Sequence, residues 1–210
     1  MIRTYKMILA IVDYGMGNIR SLVSAFKYLG VSDVVVTSDY QELKKASKLI
    51  LPGVGAYADA MVRIKNSKIE ESLEKLVIQD KKPVLGICLG MQLLVDSSEE
   101  GTPTKGLGLV KGAITKLPSD EVKVPHVGFD QVAIDSNLRL YSEFSGENVD
   151  FYFTHSYSLE SDDAINPCRC DYGKNFIASF EKDNIAGVQF HPELSQKNGL
   201  KLLKNYIEKF

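Results

Sequence analysis

Tryptophan is absent from these 210 residues, cysteine and histidine occur only three times each, and no apolar run reaches the length of a membrane span. Without about 20 consecutive apolar residues there is no transmembrane helix to expect. Cys88, Cys168 and Cys170 are too few and too unevenly spaced for a disulfide framework, so a reducing cytoplasm is the expected setting. The C-R-C pair at 168–170 has no second pair to complete a metal site, and no metal or cofactor is expected. A surplus of charge is also missing. The formal net charge is -2 and the isoelectric point near 6.0, which removes the electrostatic ground for nucleic-acid binding. The opening M-I-R-T-Y-K-M-I-L-A-I-V-D-Y has no small-residue cleavage site and reads as a first strand. No repeat, low-complexity tract or linker divides the chain, and 44% hydrophobic with 25% charged residues suits a single α/β domain over 1–210.

What is present is organised around Pro83–Leu94, P-V-L-G-I-C-L-G-M-Q-L-L. A short apolar run ends at Cys88, and from there the spacing of Leu89, Gln92 and Leu93 turns helical. Gly86 and Gly90 flank the cysteine at two residues on either side. They leave room for a sharp strand-to-helix turn that lifts a nucleophile out of the backbone. The thiol would sit at a helix N-terminus, where unpaired N–H groups favour a thiolate. A buried structural cysteine between two packing glycines is the alternative.

The first half alternates strand and helix signals. Strands are expected at Met7–Val12, Val34–Val36 and Lys48–Leu51, the last running into P-G-V-G. Asn18 is a plausible cap for a helix with Ile19, Leu22, Val23, Phe26 and Leu29 on one face, closing at Gly30. Ile69, Leu73, Leu76 and Val77 mark another helix before the Cys88 strand. This alternation implies right-handed crossovers and a mainly parallel sheet flanked by helices. D-Y-G-M-G-N, P-G-V-G and the Cys88 turn then gather at the carboxyl ends of its strands. In the second half, short runs at Leu109–Leu117, Gln131–Ile134, Phe151–Phe153, Phe176–Phe180 and Ile185–Phe190 read as an antiparallel β extension. A last helix from Gln196 places Leu200, Leu203 and Ile207 on one face.

A nucleophilic cysteine needs a base. His191 ends the run I-A-G-V-Q-F and opens H-P-E, so Cys88, His191 and Glu193 make a sensible triad of nucleophile, proton shuttle and orienting carboxylate. His155, in F-Y-F-T-H-S-Y, competes as the base, and spacing does not separate the two.

G-I-C-L-G-M-Q together with a distant G-V-Q-F-H-P-E resembles the class I glutamine amidotransferases, whose domains have a flavodoxin-like fold, and P-G-V-G resembles their oxyanion strand. D-Y-G-M-G-N, S-E-E-G, K-V-P-H-V-G and F-Y-F-T-H-S-Y narrow the resemblance to the glutaminase subunit of imidazole glycerol phosphate synthase, from about Ile8 to the C-terminus. The resemblance implies that Cys88 attacks the side-chain amide of L-glutamine to form a glutamyl thioester, with His191 protonating the departing ammonia and Glu193 supporting it. It implies an oxyanion hole from the Leu89 N–H and the Gly53–Val54 peptide. It assigns glutamine binding to Gln92, Glu100, Tyr152, His155 and Ser156. It further implies a partner, a (β/α)8-barrel cyclase subunit that receives the ammonia for histidine biosynthesis.

Two departures bear on the partner. P-H-V-G continues with Phe129-Asp130 where that family usually has Trp-Asn, and H-P-E continues with Leu194 where it usually has lysine. A paralogous group that feeds ammonia to a sugar amidotransferase is therefore the second reading. The histidine pathway is preferred because the other motifs agree. An inactive binding module on the same fold, or a cysteine hydrolase acting on peptides, is a further alternative.

Overall fold

The computed structural model describes residues 4–210. In chain order the elements are β1 (Tyr5–Val12), α1 (Ile19–Tyr28), β2 (Val31–Thr37), α2 (Tyr40–Lys45), β3 (Lys48–Leu51), α3 (Tyr57–Asn66) and α4 (Ile69–Leu73), whose path continues as a π-helical stretch over Glu74–Gln79. They continue with β4 (Val84–Ile87), α5 (Leu89–Leu93), β5 (Ser97–Ser98), β6 (Thr104–Lys105), β7 (Ala113–Lys116), β8 (His126–Ala133) and β9 (Asn148–His155). The chain closes with β10 (Tyr157–Glu160), β11 (Asn166–Tyr172), β12 (Lys174–Lys182), β13 (Ile185–Val188) and α6 (Gln196–Lys209).

Five parallel strands form the centre in the order β2-β1-β3-β4-β13, the doubly wound arrangement in which ligands sit beyond the strand carboxyl ends. β3, β4 and β13 are buried at every position and β1 over its second half, Leu9 to Val12, as strands covered on both faces require. On one face Phe26 of α1 and Leu202, Leu203 and Tyr206 of α6 pack against Leu9, Ile11 and Leu85. On the other, Met61 and Ile64 of α3 and Leu73 of α4 pack against Ala10, Leu49 and Val84. α2 and α3 have no counterpart among the expected elements. α2 starts at Asp39, whose side chain accepts the Glu42 N–H in a local cap.

Beyond β13 the sheet turns antiparallel, through β12, β10 and β7, with β11, β8 and β9 branching from β12. The α/β class with an antiparallel extension therefore holds, with a changed boundary. Ile185–Phe190, expected in the extension, supplies the fifth parallel strand: β12 hairpins back through Asp183 and Asn184, so β13 runs alongside β4 with Val188 opposite Ile87. The run expected at Leu109–Leu117 pairs only over Ala113–Lys116, and β11 was not foreseen.

Asn18 is also placed differently. Its carbonyl accepts the Leu22 N–H at the start of α1, but its side chain caps nothing; the amide reaches across the fold to the Glu193 carboxylate, 3.2 Å away.

Candidate active site

β4 and β13 end side by side, and that pairing assembles the site. Cys88 follows β4, and its N–H donates to the Val188 carbonyl at 2.8 Å. Its backbone sits at φ 53° and ψ −113°, a left-handed conformation that a non-glycine residue adopts only when its surroundings impose it. Packing imposes it here. Gly90 lies so close to β3 that an added Cβ would land on the Leu51 carbonyl. At Gly53 a Cβ would come within 2.6 Å of the Tyr14 hydroxyl and 2.8 Å of Leu89 Cβ. The elbow and P-G-V-G are thus in backbone contact, which only glycine permits. The Tyr14 hydroxyl donates to the Pro52 carbonyl at 2.6 Å and pins the start of that loop.

Val188 leads into Gln189, Phe190 and His191. His191 is buried, and its Nδ1 lies 2.9 Å from Glu193 Oε1. A carboxylate only accepts, so Nδ1 carries the proton. Nε2 is buried without a completed hydrogen bond, and the Cys88 thiol is the neighbour it senses. Burial works against the imidazolium, but the adjoining Cys88 sulfur and the hydrogen-bonded Glu193 carboxylate outweigh it and hold the His191 pKa up at about 10. α5 has only five residues, so the helix end expected to favour a thiolate is short, and a cationic His191 is the stronger partner for negative charge on sulfur.

The expected residues converge on one cavity of about 280 Å³, lined by Val54, Cys88, Leu89, Gln92, Glu100, His155, Ser156 and His191 among others. That volume lies at or below the roughly 300–1,000 Å³ of drug-sized pockets, and so suits a small amino acid. Gln92 is buried with Nε2 3.0 Å from both the Tyr157 carbonyl and Gln189 Oε1, so Oε1 is the amide atom left for a ligand. Glu100 is half-buried and accepts the Tyr57 N–H at 3.3 Å. Burial raises its pKa against the pull of that hydrogen bond, so a cation at the cavity would stabilise its ionised form.

Tyr152, expected in the pocket, lies outside it. A strand rises about 3.3 Å per residue, so Tyr152 stands roughly two steps back from Thr154, which does line the cavity. Its ring meets Phe129 edge-on at 5.5 Å, while its carbonyl accepts the His191 N–H at 2.8 Å. His155 also lines the cavity but has no free ring nitrogen with which to act as the competing base. Burial brings its pKa down to about 3, and both ring nitrogens are engaged, Nδ1 with the Tyr157 carbonyl at 2.8 Å and Nε2 with His126 at 3.1 Å.

Three residues of the site had no site role in the sequence, Asn18 having been expected only as a helix cap. Asn18 and His191 share Glu193 Oε1. Gln189 is fully buried and donates to the Cys88 sulfur at 3.8 Å while accepting from Gln92. Ser195 accepts the Tyr152 N–H and donates to the His191 carbonyl at 2.6 Å, bracing the H-P-E turn. Gln189 is the Q of G-V-Q-F-H-P-E, so its signal was the motif itself.

Glu193→Gln keeps the volume and removes the charge. It is expected to lower turnover at this site by about 100-fold, the low end of what a positioned acid–base group contributes, and steady-state kinetics checks this. Stability follows the same group. The pKa of His191 is raised above its unfolded value, so its contribution is full below about pH 6.5 and is lost as pH rises through about 10. Denaturant midpoints for the wild type are expected to fall over that window, and those of Glu193→Gln to fall less.

The sequence model of the family described as glutamine amidotransferase class-I matches residues 10–210, and the chain belongs to that class. Solved structures agree on the fold: the structure of PurLQS from Thermotoga maritima superposes with a TM-score of 0.75 at 22% identity, covering 96% of this chain and 98% of that one. A crystal structure of another glutamine amidotransferase also gives 0.75, at 17% identity, covering 96% of this chain and 97% of that one.

The curated relatives narrow the class. The chain is 40% identical to imidazole glycerol phosphate synthase subunit HisH 1 of Campylobacter jejuni, covering 95% of this chain and 98% of that protein. It is 44% identical to subunit HisH of Methanothermobacter thermautotrophicus, with the same coverage, and 46% to that of Exiguobacterium sibiricum, with 95% and 94% covered. Within the class, the chain is a member of the HisH family of imidazole glycerol phosphate synthase subunits.

Proposed function

We propose that this chain hydrolyses L-glutamine to glutamate and ammonia through a Cys88 thioester and passes the ammonia to a (β/α)8-barrel cyclase subunit. Its pathway is histidine biosynthesis, as the HisH family implies. Sugar amidation, the second reading from Phe129, Asp130 and Leu194, is not favoured by relatives of that name at 40–46% identity. The observation that carries the chemistry is the single cavity joining Cys88 and His191, with Glu193 hydrogen-bonded behind the histidine.

In this reading the Cys88 sulfur attacks the side-chain carbonyl carbon of glutamine. Negative charge on the carbonyl oxygen is met by the Leu89 N–H and the Gly53–Val54 peptide. The tetrahedral adduct collapses by breaking the C–N bond, and His191 gives a proton from Nε2 to the leaving nitrogen, releasing ammonia. His191 then takes a proton from water as it attacks the thioester, the C–S bond breaks, and glutamate leaves with the Cys88 thiolate and the His191 imidazolium restored. Glu193 holds the ring with Nδ1–H toward itself, and Asn18 holds Glu193. Glu100 meets the α-ammonium of glutamine, and Gln92 and Ser156 meet its other polar groups. The three cysteines are free and buried, in keeping with a reducing cytoplasm. Among the described residues no helix is long and apolar enough to cross a membrane.

Phe129 is 50% exposed and Leu194 41%, so both are available to a docked subunit. The test is glutamate release by the chain alone and with the cyclase subunit plus its nucleotide ligand. Marked ligand-dependent stimulation is expected; an active cyclase that leaves glutamine hydrolysis unchanged would overturn the pairing.

A further inference from the structure

Behind the glutamine cavity lies a polar chain, buried except at the part-exposed Asp130, that the mechanism does not use. Asp130 Oδ2 is 3.3 Å from His126 Nε2, His126 Nδ1 is 3.1 Å from His155 Nε2, and His155 Nδ1 is 2.8 Å from the Tyr157 carbonyl. The same carbonyl accepts from Gln92, which bonds Gln189, which in turn reaches the Cys88 sulfur. The His126 ring is stacked between Tyr172, at 3.8 Å, and Phe153, at 4.8 Å, so it cannot easily turn away.

Proton placement follows from the acceptors. The Tyr157 carbonyl only accepts, so His155 carries its proton on Nδ1 and presents a lone pair at Nε2. His126 must therefore donate from Nδ1. Its Nε2 faces a carboxylate, which also only accepts. Only a His126 protonated on both nitrogens satisfies every contact. A neutral His126 sets a lone pair against either Asp130 or His155, whichever nitrogen keeps the proton.

We propose that Asp130 and His126 are positioning residues for the glutamine pocket: doubly protonated His126, held by Asp130, donates to His155 and so fixes the Tyr157 carbonyl on which Gln92 is hung. This rests on the glutaminase reading. The groups facing His126 are Asp130 on its own strand, His155 on β9, and the rings of Phe153, Tyr172 and Phe176. Cys170 on β11 sits against Asp130, while Lys174 and His191 act on His155 through space. Burial disfavours the charged His126 and outweighs the pull of Asp130, which sets its pKa below the ordinary histidine value, so charge is lost as pH rises through the acid side of the histidine range. The pocket then loosens, and glutamine binding weakens with the hydrogen bond that ordered it.

Asp130→Asn offers His126 Nε2 a donor, so a neutral His126 completes the chain at any pH. His126→Asn keeps a donor toward His155 without a titrating group. His126→Phe fills the same aromatic stack and has no donor. The experiment is steady-state glutamine hydrolysis by the chain with its cyclase subunit, between about pH 5 and 8, with thermal unfolding as a control for folding. Loss of one buried hydrogen bond corresponds to roughly tenfold. Accordingly, the wild-type KM for glutamine is expected to rise about tenfold toward the alkaline end, and that of His126→Phe to be about tenfold higher throughout, with kcat within about twofold. Asp130→Asn and His126→Asn are expected to hold a low KM that does not change with pH. Nitrogen-15 NMR of the wild type is expected to show two histidines protonated on both ring nitrogens at the acid end, His191 throughout the range and His126, marked by its stacking on Tyr172, only there.

A His126→Phe variant with wild-type KM and pH dependence would overturn the proposal. So would an Asp130→Asn variant whose KM still rises with pH, or a His126→Asn variant as impaired as His126→Phe, which would mean packing alone. A wild type that releases no glutamate from glutamine would instead overturn the glutaminase reading, and the NMR signature would still decide the protonation of His126.

Discussion

Cys88→Ala is expected to reduce glutamine-dependent activity by roughly 10⁴-fold or more, the scale seen when a catalytic nucleophile is removed, while leaving the cyclase subunit's use of added ammonium salts within about twofold of wild type. The asymmetry follows from the fold. Cys88 is the only one of the three cysteines that lines the cavity with His191; Cys168 and Cys170 lie two residues apart on β11, so both side chains face the buried side of that strand. Alanine also fits the space of the thiol, although at φ 53° it retains whatever strain the elbow imposes. Loss of the sulfur is expected to remove ammonia production while the exposed Phe129 and Leu194 stay as they are. Assays of the complex with glutamine and, separately, with ammonium salts measure the two activities. Equal loss of both would contradict the division of labour.

Gly90→Ala is expected to have the largest effect on the fold. The new methyl group would land on the Leu51 carbonyl, with the carbonyl carbon of Pro52 3.1 Å away on the same side, so backbone and not a movable side chain is in the way. Relief requires α5 to move off β3, which also shifts Cys88 and Leu89 out of register with the P-G-V-G loop. Overpacking of this kind costs about 3 kcal/mol or more, and for a chain of this size that lowers the melting temperature by about 6–12 °C. A variant that melts within about 2 °C of wild type would show that the elbow has slack that the close β3–α5 contact denies.

The residues proposed to carry the chemistry were legible because they lie in short stretches whose geometry is local. Five residues, G-I-C-L-G, describe a strand-to-helix turn by themselves, and H-P-E holds imidazole and carboxylate two residues apart. Strand direction is another matter. Ile185–Phe190 is a short apolar run, and its composition does not say whether its neighbour runs alongside or against it; that is decided by the β12–β13 turn and by the open edge of β4. The error matters functionally, because only the parallel pairing delivers His191 to the same end of the sheet as Cys88.

Asn18 shows a second limit. An asparagine before an amphipathic run has the local signature of a cap, yet a carboxylate 175 positions away captures its amide. Tyr152 and His155 show a third: a motif gathers neighbours along a strand, but a cavity samples only the stretch of strand beside it. Asp130, noted in the sequence as a departure on the partner-facing side, turns inward to His126, while Phe129 beside it turns out, as alternate residues of a strand must.

The most direct measurement of the central claim uses a glutamine analogue bearing an electrophilic diazo ketone in place of the side-chain amide, followed by peptide mapping. The account predicts one covalent adduct, on Cys88, protected by excess glutamine and lost in Cys88→Ala. Labelling of Cys168 or Cys170, or no adduct on Cys88 from a preparation that hydrolyses glutamine, would contradict it.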